Sequence, residues 1–222
     1  MSTSLYDLPL PERGVVVFDL DDTLYLERDF VYSGFRAAAD AISHETGEDV
    51  FGRLIEQFEA RGSDPFGTVL TERGLPLATK RLLIETYREH RPSLNLAPAV
   101  AELLGSLRNS GRILGIITDG RSVTQRNKIR ALGLEKWIDA VVISEEFGSS
   151  KPAAGNYRYF EEQFARRQFV YVGNDLTKDF LAPNRLGWQT VGLVHNDRHI
   201  HLPPEAEIPA HALPHAWIER LA

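Results

Sequence analysis

A chain of 222 residues is long for one minimal domain and short for two full ones, so one core carrying an inserted subdomain is expected. With 43% hydrophobic and 25% charged residues it has the balance of a globular protein, which excludes disorder, and a net charge of -6 gives no general footprint for nucleic acid. The absence of cysteine excludes disulfides, thiolate metal sites and a cysteine nucleophile.

The chain opens without the basic start and apolar core of a secretory signal, and no apolar run approaches the ~20 residues needed to span a bilayer. A cytoplasmic protein with no membrane partner is the default expectation. The first clear element is Val15-Val16-Val17-Phe18, a short β-branched run of the kind found in parallel strands covered on both faces. It stops abruptly at Asp19-Leu20-Asp21-Asp22-Thr23. Such strands present functional side chains at their carboxyl ends, and clustered carboxylates repel unless a cation or shifted pKa values accommodate them. A hard divalent ion is the simplest answer.

From about residue 28 to 92 the pattern turns helical. Phe51, Leu54, Ile55 and Phe58 follow i, i+3, i+4, i+7 spacing, and Leu83 and Tyr87 share another helix face. Gly62 to Gly67 breaks this insert with turn chemistry, and Arg91-Pro92 marks the return to the main domain. The expected division is a core of residues 1–27 and 93–222 with an α-helical unit at 28–92.

Beyond residue 98, helices and strands alternate. Val100, Leu103, Leu104 and Leu107 form an amphipathic helix that Gly111 terminates, before the strand Ile113 to Ile117. Ser122 is placed as the cap of the next helix, which ends at Gly133 before Ala140 to Ile143. Ser144 to Ser150 reads as a loop, Tyr157 to Arg166 as a helix and Phe169 to Val172 as a strand. A last unit reaches Thr190 to Val194, with Pro183 expected to kink its helix or delay its start. This succession predicts an α/β fold with a doubly wound parallel sheet. Histidines 195, 199, 201, 211 and 215 lack zinc-site spacing, so the tail from His195 reads as a surface segment.

Polar groups end four strands: Asp19, Asp21 and Thr23; Thr118-Asp119-Gly120; Lys151-Pro152 after the third; and Gly173-Asn174-Asp175 with Asp179 beyond. Carboxylates for Mg²⁺, a hydroxyl, backbone N–H groups and a lysine make a coherent set for phosphoryl transfer.

These motifs resemble those of the haloacid dehalogenase (HAD)-like hydrolases. Asp19-Leu20-Asp21-Asp22-Thr23 fits the DxDxT signature, Ile116-Ile117-Thr118 the hydroxyl motif, Lys151-Pro152 the lysine motif and Val172 to Asp179 the closing acidic motif. The resemblance covers nearly the whole chain and implies a Rossmann-like core with a C1-type helical cap. It implies that Asp19 attacks phosphorus and becomes an aspartyl phosphate, while its other oxygen binds Mg²⁺. Asp21 would act as general acid and base, its carbonyl also meeting the metal. Thr118 and the N–H of Asp119 or Gly120 would hold phosphoryl oxygens, and Lys151 would offset negative charge. Thr23 would secure the motif loop.

Asn174 departs from the usual Gly-Asp of the closing motif, so either Asn174 or Asp175 would complete the metal shell, with Asp179 in support. The expected activity is Mg²⁺-dependent hydrolysis of a small phosphorylated metabolite. A catalytically silent binding or scaffold protein and a phosphomutase are the alternatives, and a phosphonatase would depend on Lys80 as Schiff-base lysine. Tyr25, Arg28, Tyr32, Arg36, Arg61 and Arg73 are candidates for recognising a second anionic group. Substrate identity and oligomeric state have no sequence signal.

Overall fold

The structure, a computed structural model, describes residues 4–200 and 207–222. Its centre is β1 (Val15–Phe18), whose four side chains are all buried. Strand pleating sends Val15 and Val17 to one face, where they meet Tyr157, Phe160, Tyr171 and Trp188. Val16 and Phe18 go to the other, among Leu103, Leu104, Leu114, Ile116 and Val170. The uninterrupted apolar run is thus explained by burial on both sides.

Between β1 and β2 (Ile113–Thr118) the chain forms five α-helices: α1 (Glu27–Thr46), α2 (Phe51–Glu59), α3 (Pro65–Glu72), α4 (Lys80–Glu89) and α5 (Pro98–Asn109). The first four enclose an apolar cluster of their own around Phe35, Ile42, Leu54, Phe66, Leu70 and Leu83. Phe51, Ile55, Phe58 and Tyr87 pack against it, as the helical spacing predicts. α5 instead packs on the sheet through Leu103, Leu104 and Leu107.

The remaining elements are α6 (Ser122–Ala131), β3 (Ala140–Ile143), α7 (Ser144–Phe147), α8 (Ala154–Gln163), β4 (Phe169–Gly173), α9 (Leu181–Arg185), β5 (Gln189–Leu193) and β6 (Ala216–Ile218). All strand pairs are parallel, in the order β3-β2-β1-β4-β5-β6. This is a doubly wound sheet whose strand order reverses between β1 and β4, the place where such folds carry their crevice. Gly115 in β2 allows α8 to approach closely, since a Cβ there would lie 2.2 Å from the Phe160 ring.

Four local expectations are corrected. Ser122 is the first residue of α6 rather than its cap: Arg121 is the extended N-cap, and the Ser122 N–H and hydroxyl go to Glu145 and Glu146. The Ser144–Ser150 segment contains the short helix α7, ended by Gly148 in the left-handed region. Pro183 neither kinks nor delays α9, because it occupies the first turn, where a missing N–H costs nothing. The tail is not merely a surface segment. It returns to the sheet as β6, with Ile218 fully buried, and His199 is buried while His215 Nδ1 accepts from the Thr190 N–H. The apolar Ala216-Trp217-Ile218 run just after His215 decided the strand, and His201 lies outside the described residues.

Candidate active site

The carboxyl ends of β1, β2 and β4 surround a cavity of about 130 Å³, lined by Asp19, Asp21, Glu27, Thr118, Asp119, Asn174, Asp175 and Lys178. Parallel pairing brings them together. The Asp19 N–H continues the ladder to the Val172 carbonyl at 2.8 Å, placing the end of β1 against the start of the 173–179 loop.

Lys151 organises the floor. Its side chain is 0% exposed, and its Nζ lies 2.6 Å from Asp19 Oδ1, 2.7 Å from Asp179 Oδ1 and 3.1 Å from the Tyr171 hydroxyl. A buried ammonium is tolerable only with such partners, and the two carboxylates more than offset its desolvation, raising its pKa. Burial pushes Asp19 up to about 7 against the lowering influence of Lys151, with Asp179 adding to the rise. Lys151 also ties the third motif to the second, because its N–H donates to Asp119 Oδ1 at 3.1 Å.

Asp21 has a different environment. Its Oδ1 accepts from Lys128 Nζ at 2.7 Å and from the Tyr25 hydroxyl, and its Oδ2 accepts from Gln125 Nε2 at 3.0 Å. Burial alone would raise its pKa, but these donors outweigh burial and the net shift is downward. Two neighbouring carboxylates are thus driven in opposite directions. The third Asp of the turn, Asp22, is structural. Its two oxygens accept the N–H groups of Glu27 and Ile200, each at 2.9 Å, joining the start of α1 to the segment after β5.

In the closing motif, Asp179 Oδ2 accepts the N–H groups of Asn174 and Asp175 at 3.1 and 2.8 Å. With Lys151 and Tyr171 on its Oδ1, that carboxylate is committed to holding the loop. Thr23 donates to Asn174 Oδ1 at 3.1 Å, and Asp175 Oδ1 accepts from the Thr177 N–H at 2.8 Å. Thr118 ends β2 buried, accepting from Gln125 Nε2. Gly120, at φ 139°, has a backbone that side chains rarely adopt, and its N–H is directed to Ser144 Oγ at 2.9 Å.

Among the described residues, no group of three or more His, Cys, Asp or Glu side chains is arranged to hold a metal ion. Asp19, Asn174 and Asp175, which line the cavity, instead carry carboxylate and amide oxygens, the donor type of hard divalent cations.

Comparison with known proteins places this geometry. Residues 16–193 match the family model of the haloacid dehalogenase-like hydrolases. The chain belongs to that family. A glyceraldehyde 3-phosphate phosphatase of Methanocaldococcus jannaschii is 29% identical over 193 residues, covering 81% of this chain and 84% of the relative. One from Methanopyrus kandleri is 33% identical over 193 residues, covering 79% and 82%. The magnesium-bound crystal structure of YfnB, a HAD-hydrolase from Bacillus subtilis, shares the fold with a TM-score of 0.68 at 20% identity, over 93% of this chain and 94% of that one.

This HAD-like hydrolase therefore brings the four sequence motifs to one cavity, with Lys151 and Asp179 just beneath its lining. Sequence reasoning missed Gln125, Lys128 and Tyr171 as partners of the acids. On a helix with basic residues on several faces, nothing local distinguishes buried Lys128 from its exposed neighbours. Of the anion-recognition candidates, Tyr25 serves Asp21, Tyr32 donates to Glu59, and Arg36 and Arg73 pair with Asp49 and Glu48. Arg28 and Arg61 line a separate cavity with His199 and Ile200. Lys80 is held by Asp64 at 2.5 Å.

Proposed function

We propose that this protein is a Mg²⁺-dependent phosphohydrolase of a small phosphorylated metabolite, working through an aspartyl phosphate on Asp19. The observation that carries this reading is the Asp19 carboxylate, buried against Lys151 and sharing one small cavity with Asp21 and Thr118. One Asp19 oxygen attacks phosphorus while Lys151 offsets the charge of the group. The Thr118 hydroxyl holds a phosphoryl oxygen, and Asp21 passes a proton to the departing ester oxygen and later takes one from the attacking water. Asp19, the Asp21 carbonyl and Asn174 or Asp175 are the residues that would hold Mg²⁺. When bound, the ion supplies neutralisation of phosphoryl charge.

A cavity of about 130 Å³ suits a phosphoryl group with a short carbon chain, in keeping with relatives named as glyceraldehyde 3-phosphate phosphatases. We assign α1 to α4 the role of a cap, closing over the substrate from its own apolar cluster. Pairing of Lys80 with Asp64 argues against a Schiff-base role for that lysine.

The test is phosphate release from glyceraldehyde 3-phosphate and from p-nitrophenyl phosphate in the presence of Mg²⁺. Turnover that Asp19→Asn abolishes supports the reading. No turnover of any member of a broad phosphorylated-metabolite panel, together with no Mg²⁺ binding, defeats it and leaves a silent binding protein.

A further inference from the structure

Helix α6 carries two inward-facing polar residues, Gln125 and Lys128, that no motif of the family resemblance includes. Three positions apart, they share one helix face, and both are buried. The other edge of the helix explains why they point inward. Thr124 Oγ1 donates to the Arg88 carbonyl, and Asn127 Nδ2 donates to the carbonyls of Glu89 and His90. α6 is thereby pinned to the end of α4, which turns residues 125 and 128 toward Asp21.

Their contacts divide the two oxygens of Asp21 unequally. A carboxylate oxygen offers about two acceptor sites. Oδ1 receives Lys128 Nζ and the Tyr25 hydroxyl and is filled. Among the described residues, Oδ2 receives only the Gln125 amide and retains an open site. The Lys128 ammonium is itself held from the side of the helical insert, 4.3 Å from the centroid of the Phe30 ring in α1.

Gln125 fixes a second direction. The ionised Asp21 carboxylate can only accept, so the amide atom facing it is the nitrogen, and that same nitrogen also reaches Thr118 Oγ1. Thr118 therefore accepts from Gln125 and keeps its own hydroxyl hydrogen for another acceptor.

We propose that Lys128, with Gln125 as the second strut, is a positioning residue that presents Asp21 Oδ2 as the proton-carrying oxygen for the leaving group. This rests on the phosphohydrolase reading. Asp21, ionised in the free protein, takes up a proton from solvent on Oδ2 with the substrate. As the bond from Asp19 Oδ to phosphorus forms and the phosphorus–ester oxygen bond breaks, that proton moves to the departing oxygen. When water attacks phosphorus, its proton returns to the same atom and the Asp19–phosphorus bond breaks. Lys128 touches neither substrate nor phosphorus in this scheme. Its effect is confined to the proton transfer, so it matters most where the leaving group needs a proton.

The experiment compares kcat/KM for glyceraldehyde 3-phosphate, an alkyl ester, with that for p-nitrophenyl phosphate, whose phenolate leaves without a proton. Lys128→Met is expected to lose ~100-fold on the alkyl ester and at least ~10 times less on the aryl ester, a general-acid contribution in size. Lys128→Arg should recover most of the alkyl activity. Should Lys128→Met fail to fold, Lys128→Gln keeps a polar side chain there and carries the same comparison. Equal losses on both esters, or no loss on either, overturn the assignment of Lys128 while leaving the phosphohydrolase reading intact. Absence of turnover by the unaltered protein defeats both.

Discussion

Thr23 donates a 3.1 Å hydrogen bond to Asn174 Oδ1, linking the loop after β1 to the loop after β4 across the switch point of the sheet. The bond holds the amide with its oxygen toward Thr23, and it leaves that oxygen a second acceptor site. Two residues that the motifs assign to separate segments are thus joined at the edge of the cavity.

Asn174→Asp is expected to strengthen Mg²⁺ binding by roughly tenfold, because ligand charge tunes the affinity of oxygen sites. Thr23→Val, which removes only the donor, should weaken it. Calorimetric titration of both variants with Mg²⁺ checks the pair. Unchanged affinity in Asn174→Asp would assign the ligand role to Asp175.

Mg²⁺ binding should depend on pH through Asp19. Burial raises this carboxyl from 3.8 to about 7 despite Lys151, so below about pH 7 the metal-free protein holds a proton there that a bound cation displaces. Affinity is expected to fall by roughly tenfold per pH unit below about 7, as the ionised fraction falls. The sign for stability follows from the same shift. The fold binds this proton more tightly than the unfolded chain, so without metal the group's contribution declines as pH rises from 3.8 to about 7. Titrations at pH 6, 7 and 8 test the linkage, and Asp19→Asn should remove it.

Asp179→Ala should cost about 3–5 kcal/mol of folding stability, the usual penalty for leaving a buried charge partly unpaired. It strips Lys151 of one of its two carboxylates and releases the N–H groups of Asn174 and Asp175. Denaturant unfolding measures the loss. A change below about 1 kcal/mol, the range of exposed pairs, would contradict this account of the site floor.

Gly115→Ala should destabilise by about 1–3 kcal/mol through overpacking. The added methyl would meet the Phe160 ring at 2.2 Å, at the contact between α8 and the sheet. In a protein that also carries Phe160→Leu, which clears that space, Gly115→Ala should cost less than it does alone. Additive losses in the double variant would show that the two positions do not share the constraint.

Much of this protein is legible in one dimension. The Val15 to Phe18 run, the order of apolar segments and the motifs at Asp19, Thr118, Lys151 and Gly173 to Asp179 predict a parallel sheet and an acidic crevice, because strand burial and βα order are local properties of the chain. Asp22 shows where local reading stops: beside Asp21 it looks equivalent, yet its oxygens hold the backbone at Glu27 and Ile200. β6 was hidden by histidines and prolines whose spacing carried no strand signal, and pairing with β5 alone made it a strand. Gln125 and Lys128 are the sharpest case. Their types and spacing suit a solvated helix, and only the docking of α6 on the end of α4 turns them to the acid. Which carboxylates, hydroxyl and lysine would meet was written in the chain, since those lie at strand ends whose position the sheet order dictates. Which hydrogen bonds each carboxylate receives emerged only on packing, because a helix residue's partners depend on how the whole helix is rotated against its neighbours.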